Sequence, residues 1–214
     1  MKPSPLTPLL TLLLAPLTTA LPSATPIPVA YPGTCTSWPN WIRTPSADVT
    51  GDIQLLISTP DEASASNLLF RYFSVPWGGL QREQLGADFR PSSYYTSSSY
   101  FRCKNGNITH GNSVARISTN SNAAQLLVDA REATYAAELY YLEVDGKRLD
   151  GVYLGARNQT TWGFYYQEPT CGGSGGATKD FIAAKLLNLP VDEANPPSAA
   201  PAAQFEGFIK VVSA

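Results

Sequence analysis

Residues 134–167 read TYAAELYYLEVDGKRLDGVYLGARNQTTWGFYYQ, and this stretch decides the fold. Its first part, Thr134 to Val144, is ambiguous in isolation. Ala133, Ala136, Ala137 and Leu139 tolerate a helix, whereas Tyr135, Tyr140, Tyr141 and Val144 favour a strand. The segment is read as a strand, and Asp145-Gly146 after it is the best hairpin turn in the chain, because a two-residue turn needs positive φ, which Asp and Gly adopt cheaply. Asp150-Gly151 repeats the signal. Val152 to Ala156 and Thr161 to Gln167 then read as a second hairpin across Arg157 to Thr160. Two successive hairpins predict antiparallel β-structure.

Working outward, Ile53 to Ser58 and Leu68 to Val75 read as strands, joined by the polar Asp61-to-Asn67 stretch as a hairpin-type connection. Gly78-Gly79 marks a turn, and Leu80 to Leu85 reads as one helical turn. Tyr94 to Cys103 alternates polar and aromatic residues, as a half-exposed strand does, and Asn105-Gly106 ends it. Val114 to Ile117 and Gln125 to Asp129 are short strands. Cys171 to Gly176 is a glycine-rich loop. Asp180 to Leu187 is a buried strand or short helix, and Phe205 to Val212 is a closing strand. The expected architecture is all-β: a single-domain sandwich or barrel of about nine to eleven short, mostly antiparallel strands.

The amino terminus predicts the compartment. Met1-Lys2, an apolar run from Leu6 to Leu17 and the small residues Thr18-Thr19-Ala20 form the pattern of a secretory signal peptide, residues 1–20. The run falls short of the roughly 20 apolar residues of a membrane span. Residues 21–34, with four prolines between Leu21 and Pro32, read as an extended, partly disordered leader. Residues 35–214 form the single β-domain. Within it Asn107-Ile108-Thr109 and Asn158-Gln159-Thr160 are acceptor triplets for N-glycosylation at Asn107 and Asn158. The Asn158 sugar is expected at the tip of the second hairpin.

Composition narrows the partners. Charged residues make up 15% of the chain and the net charge is −2, with no Lys/Arg cluster, which argues against nucleic acid. No second apolar run reaches membrane length, so no membrane partner is expected. Catalytic residues are not found either. His110 is the one histidine, and Gly172-Gly173-Ser174-Gly175-Gly176 matches G-x-S-x-G only formally, since the nucleophile needs a strand-to-helix turn and a later histidine. The chain lacks a His pair and a C-x-x-C, so neither a metal nor a cofactor is expected. A glycosidase needs only two carboxyls, and Glu132, Glu138, Glu143 and Glu168 lie in aromatic surroundings. A glycan-acting hydrolase is therefore the alternative reading, and a cell-wall structural protein another. Trp38, Trp41, Trp77 and Trp162 could stack on sugar rings or simply supply a core.

Three cysteines, Cys35, Cys103 and Cys171, lie about 68 residues apart. In an oxidising compartment at least one bridge is expected. Any single pairing leaves one thiol, which is available for pairing between chains.

The segment Cys171-Gly172-Gly173-Ser174-Gly175-Gly176-Ala177-Thr178-Lys179-Asp180-Phe181-Ile182 resembles part of the Alternaria major allergen family of fungal secreted proteins. There a Cys, a Gly-rich loop and a Lys-Asp-Phe-Val-Cys strand follow one another at similar spacing. Phe205-Glu206-Gly207-Phe208-Ile209-Lys210-Val211-Val212 is similar to that family's final strand, and Tyr100-Phe101-Arg102-Cys103 to its aromatic-x-Cys strand. The family's partner cysteines are absent here: Ala183 stands where one is expected, and Leu68 to Val75 contains none. Against that pattern Cys103 and Cys171 are left to pair with each other, or one of them with Cys35. Cys35 sits where the family often has an interchain cysteine, which implies a free thiol or a disulfide-linked homodimer. The resemblance further implies a β-barrel or sandwich without catalytic activity. It also implies secretion and recognition of a host or cell-wall protein at the fungus–host surface.

Overall fold

The computed structural model describes residues 23–31, 33–44, 47–60, 62–77, 80–88, 100–118, 126–128, 134–168, 180–189 and 203–214. The signal-peptide segment, most of the Tyr94-to-Cys103 stretch, the glycine-rich loop and Cys171 lie outside them. Among the described residues the chain is all-β, with seventeen strands and no helix. The excess over the expected number comes mostly from strands of two to four residues, too short to carry a periodic signal.

The strands form two antiparallel layers arranged as a sandwich, not as a closed barrel. One layer contains β1 (Ala24–Pro28), β12 (Glu138–Val144), β13 (Lys147–Arg148), β14 (Val152–Gly155), β17 (Phe205–Ser213) and β4 (Ile53–Ser58). The other is built on β5 (Phe70–Trp77) and β6 (Leu80–Ala87). It continues through β16 (Phe181–Leu186) to β15 (Trp162–Gln167), and through β10 (Leu126–Val128) and β9 (Ser113–Ser118) to β11 (Thr134–Ala136). A ribbon of β2 (Trp41–Thr44), β3 (Ala47–Thr50), β7 (Arg102–Lys104) and β8 (Asn107–His110) leads into β9. The long β17 joins the layers: Phe205–Gly207 pairs with β15, and Phe208–Ser213 pairs with β4.

Alternation drives the burial. In β4, Ile53, Leu55 and Ile57 are fully buried while Gln54, Leu56 and Ser58 are half-buried, which is the period of two that one core-facing side imposes. These residues share a continuous core with Leu139, Leu154 and Ile209 of their own layer and with Phe70, Ile117, Trp162 and Phe164 of the other. β16 is buried along its whole length. Ile182, Ala184 and Leu186 enter the main core, and Phe181 stacks on Phe73 at 4.4 Å on the opposite face. Burial on both faces removes the alternation, which is why strand and helix were indistinguishable there.

The first quoted hairpin forms as read, but the second forms only at its turn. β14 pairs with β12 and β17 in one layer and β15 with β16 and β17 in the other, so the chain changes layers there instead of folding back on itself. Asp145 (φ 52°) and Gly146 (φ 72°) make the turn between β12 and β13. The register then slips by two residues at Asp150-Gly151 before β14 resumes against β12. Arg157 (φ 55°) and Asn158 (φ 60°) form the next two-residue turn, closed by reciprocal Ala156–Gln159 hydrogen bonds of 3.0 and 2.9 Å.

Three expectations change. Leu80 to Leu85 is not a helical turn but part of β6, which pairs with β5 along all eight of its residues; sheet pairing overrides the helical preference of the Gln- and Glu-rich stretch. The strands at 53–58 and 70–77 are joined by a short hairpin connection, with the Asn67 N–H donating to the Ile57 carbonyl at 2.8 Å, the Ile57 N–H to the Leu68 carbonyl at 3.1 Å and a Leu56–Leu69 bridge, but then diverge to partners in different layers. The proline-rich leader is extended but docked. β1 pairs with β12 along its whole length, and Val29 just beyond it is buried. Pro26 and Pro28 fit because β1 is an edge strand among the described residues, where no outward N–H is needed.

Of the two cysteine pairings left open, the one that involves Cys35 is formed. Cys35 is bonded to Cys103, with Cα atoms 5.6 Å apart. The bridge expected between Cys103 and Cys171 is therefore not formed. Cys35 is neither free nor interchain, so a homodimer linked through it is unavailable. Both sulfurs are fully buried. The bridge is seated by backbone packing: Gly106 (φ 75°) lies so close to Gly33 that a Cβ would stand 2.1 Å from the Gly33 carbonyl oxygen. Gly106→Ala is expected to cost about 2 kcal/mol or more, through backbone strain and overpacking, measurable as a lowered urea midpoint.

Candidate functional site

A cleft of about 710 Å³ opens where β1 ends. Val29 makes the last contact of this edge, its N–H donating to the Leu139 carbonyl at 3.2 Å. The chain then turns away through residues 30–40, leaving a gap beside the start of β12. That connection forms one wall and is firmly held. Thr34 Oγ1 donates to the Tyr31 carbonyl at 3.0 Å, Ser37 Oγ to the Ala30 carbonyl at 2.5 Å, and the Cys35 N–H to both Asp48 carboxylate oxygens at 2.9 Å. Trp38 is buried beneath it, and Tyr31 stands 68% exposed at the rim.

The opposite wall is Ala136 to Tyr140 with the Arg157-Asn158 turn that links β14 to β15. Positive φ at Arg157 and Asn158 is uncommon for side chains larger than glycine and costs about 1 kcal/mol for a residue such as Arg. A polar cluster offsets that strain. The Arg157 N–H donates to Glu138 Oε2 at 3.1 Å and the Asn158 N–H to Tyr140 Oη at 2.9 Å. The Tyr140 hydroxyl in turn donates to Glu138 Oε2. The Arg157 guanidinium lies 5.4 Å from the Tyr135 ring centre. The cleft thus combines apolar walls, an exposed aromatic ring and a rim whose Glu138 carboxylate is engaged by a backbone N–H and a hydroxyl while the Arg157 guanidinium faces the Tyr135 ring.

Burial raises the Tyr140 hydroxyl well above the ordinary tyrosine range, and its hydrogen bond to Glu138 adds to the effect. Tyr153 is raised by burial and by the Asp150 charge, and Tyr165 by burial and by Glu206. Lys185 is lowered by burial, with its ammonium 4.8 Å from the Tyr165 ring centre. Raised tyrosines stabilise the fold fully below about pH 10, where the unfolded chain begins to ionise. Above that the unfolded chain binds fewer protons than the native one, and stability falls. Lys185 works in the opposite sense, since its burial penalty fades as pH rises. With three groups against one, stability is expected to decline above about pH 10, and Tyr140→Phe to make that decline shallower. Urea midpoints at stepped alkaline pH test this; an unchanged slope in Tyr140→Phe contradicts it.

Among the described residues, Glu138 and Glu143 do not converge. Glu138 lies in the cleft. Glu143 is five residues along the same strand, hence on its other face and about 17 Å away, paired across strands with Thr25 and Arg148. Glu168 is exposed just beyond β15, and Glu132 lies outside the described residues. His110 is structural: Nδ1 donates to the Tyr100 carbonyl at 2.9 Å, and its ring meets Phe101 edge-on. Of the tryptophans, Trp162 is core, Trp38 underlies the cleft and Trp41 is partly exposed. Of the glycosylation candidates, Asn158 is exposed at the cleft rim, as the hairpin reading placed it. Asn107 is half-buried and its Nδ2 donates to the Asn105 carbonyl at 2.9 Å. Tyr31, Tyr140 and Arg157 were missed as site residues. The hairpin-turn reading already held Arg157, whereas Tyr31 was hidden in a segment whose composition signals disorder.

No protein-family model matches the chain, and no curated protein matches it.

Proposed function

We propose that this chain is a secreted β-domain without catalytic activity that acts by recognising a protein at the fungus–host surface. That is the role implied by its resemblance to the Alternaria major allergen family. The cleft beside β1 is its recognition site. The observation that carries the reading is the state of the cleft's polar groups. Glu138 and the Tyr140 hydroxyl are spent holding the Arg157-Asn158 turn, while Tyr31 is offered to solvent. Rigid walls, an exposed aromatic and an internally satisfied rim suit surface recognition. The buried Cys35–Cys103 bridge agrees with an oxidising compartment.

The test is capture from plant apoplastic fluid by the mature, glycosylated protein, run beside a polysaccharide-binding and hydrolysis panel. One reproducible protein partner without sugar release is expected. Sugar release abolished by Glu138→Gln would replace this reading with a glycan-acting hydrolase. Retention in a wall fraction without either would favour the structural protein.

A further inference from the structure

We infer that the sugar chain carried by Asn158 folds back into the cleft, so that glycosylation sets how much of the secreted population offers an open site. The inference rests on the secretory reading above and adds a regulator to the proposed site.

The placement is specific. Asn158 lines the cleft and its side chain is exposed. Its backbone is pinned by the hydrogen bond to Tyr140, and its neighbour Arg157 by that to Glu138, so the attachment point is fixed rather than swinging on a loose loop. In the secretory pathway the Asn158 amide nitrogen bonds to the anomeric carbon of a polyprenyl-pyrophosphate-linked oligosaccharide. The amide proton is lost and the lipid pyrophosphate leaves. The first sugar is then tethered within reach of Tyr31, whose ring is 68% exposed, and of the apolar floor at Val29, Ala137 and Leu139. A pyranose presents an apolar C–H face to such a ring and hydroxyls to the polar rim. Free in solution that contact is weak, but a short tether raises the effective concentration to about millimolar or more, which favours the seated state. Asn107 lacks this geometry: it does not line the cleft and its amide is already bonded to the Asn105 carbonyl.

The full chain is expressed in a glycosylating secretory host, and site occupancy is read by peptide mass spectrometry. Tyr31 accessibility is measured by nitration in three samples: the glycosylated protein, the folded protein after enzymatic sugar removal, and Asn158→Gln. Enzymatic removal, which leaves aspartate at 158, keeps the test valid if Asn158→Gln folds poorly. Tyr31 is expected to react about fivefold more slowly in the glycosylated form, equivalent to about 1 kcal/mol. Tyr166, which is 39% exposed and outside the cleft, should not change. Equal Tyr31 rates in all three samples overturn the inference. Secretion with Asn158 unoccupied overturns it while leaving the secretory reading intact, and failure of the chain to be secreted overturns both.

Discussion

Trp162→Ala is expected to lower the unfolding free energy by about 5 kcal/mol, the largest effect of any single core substitution proposed for this chain. Trp162 is fully buried at the start of β15, paired across strands with Leu186 on one side and Gly207 on the other. Truncation removes an indole from a core shared by both layers, and large-to-small changes at such sites cost about 3–5 kcal/mol. It also removes the buried hydrogen bond from Nε1–H to the Leu154 carbonyl at 2.8 Å, at a further cost of about 1 kcal/mol. Since domains of this size are stable by about 5–15 kcal/mol, the variant should sit near its unfolding transition at room temperature. Trp162→Phe keeps much of the bulk and should lose only about 1 kcal/mol, the hydrogen-bond share. Urea unfolding followed by circular dichroism separates the two. Equal losses for both variants would show that the hydrogen bond, not the packing, dominates.

Cys35→Ser is expected to cost about 4 kcal/mol, because the bridge closes a loop across 68 residues of chain and its loss releases the unfolded ensemble from that constraint. For a chain of this length the melting temperature should fall by roughly 10 °C. The effect reaches the cleft as well. Cys35 anchors the wall that carries Tyr31 and Trp38, and the Gly106 N–H rests against its sulfur at 3.3 Å. Reduced and non-reduced gels of wild type, Cys35→Ser and Cys171→Ser identify the bridge directly. Faster non-reduced migration lost in Cys35→Ser and kept in Cys171→Ser is the expected result. The reverse would establish the Cys103–Cys171 pairing instead.

Much of the scaffold was legible because its signals are local. Asp145-Gly146 announced the β12–β13 hairpin, and Arg157 to Thr160 the turn between β14 and β15, through backbone conformations that few residues adopt; that β14 and β15 then part into different layers was not legible. Ile53-Leu55-Ile57 announced β4 through alternation. What escaped depends on distant partners. β6 carries helix-forming residues, and only its pairing with β5 makes it a strand. β1 carries prolines that read as disorder until β12 is seen beside it. The cysteine pairing could not be inferred from separation, since Cys103 stands the same distance in sequence from Cys35 as from Cys171. The candidate site was half legible for the same reason. Asn158 and Glu138 were named from a turn and from an aromatic neighbourhood. Tyr31 entered only when the leader proved to be a docked strand, and the cluster joining Glu138, Tyr140 and Arg157 exists only across the hairpin.

The central claim is that recognition happens at the cleft beside β1. The most direct measurement is the dissociation constant of the captured partner for wild type, Tyr31→Ala and Trp41→Ala, with glycans removed from all three. Tyr31 lines the cleft, whereas Trp41, partly exposed on β2, does not. A loss of about tenfold or more for Tyr31→Ala, equivalent to about 1.4 kcal/mol, with Trp41→Ala unchanged, is the predicted result. Unchanged binding by Tyr31→Ala, together with loss in Trp41→Ala, would place recognition on the β2 ribbon and contradict the account.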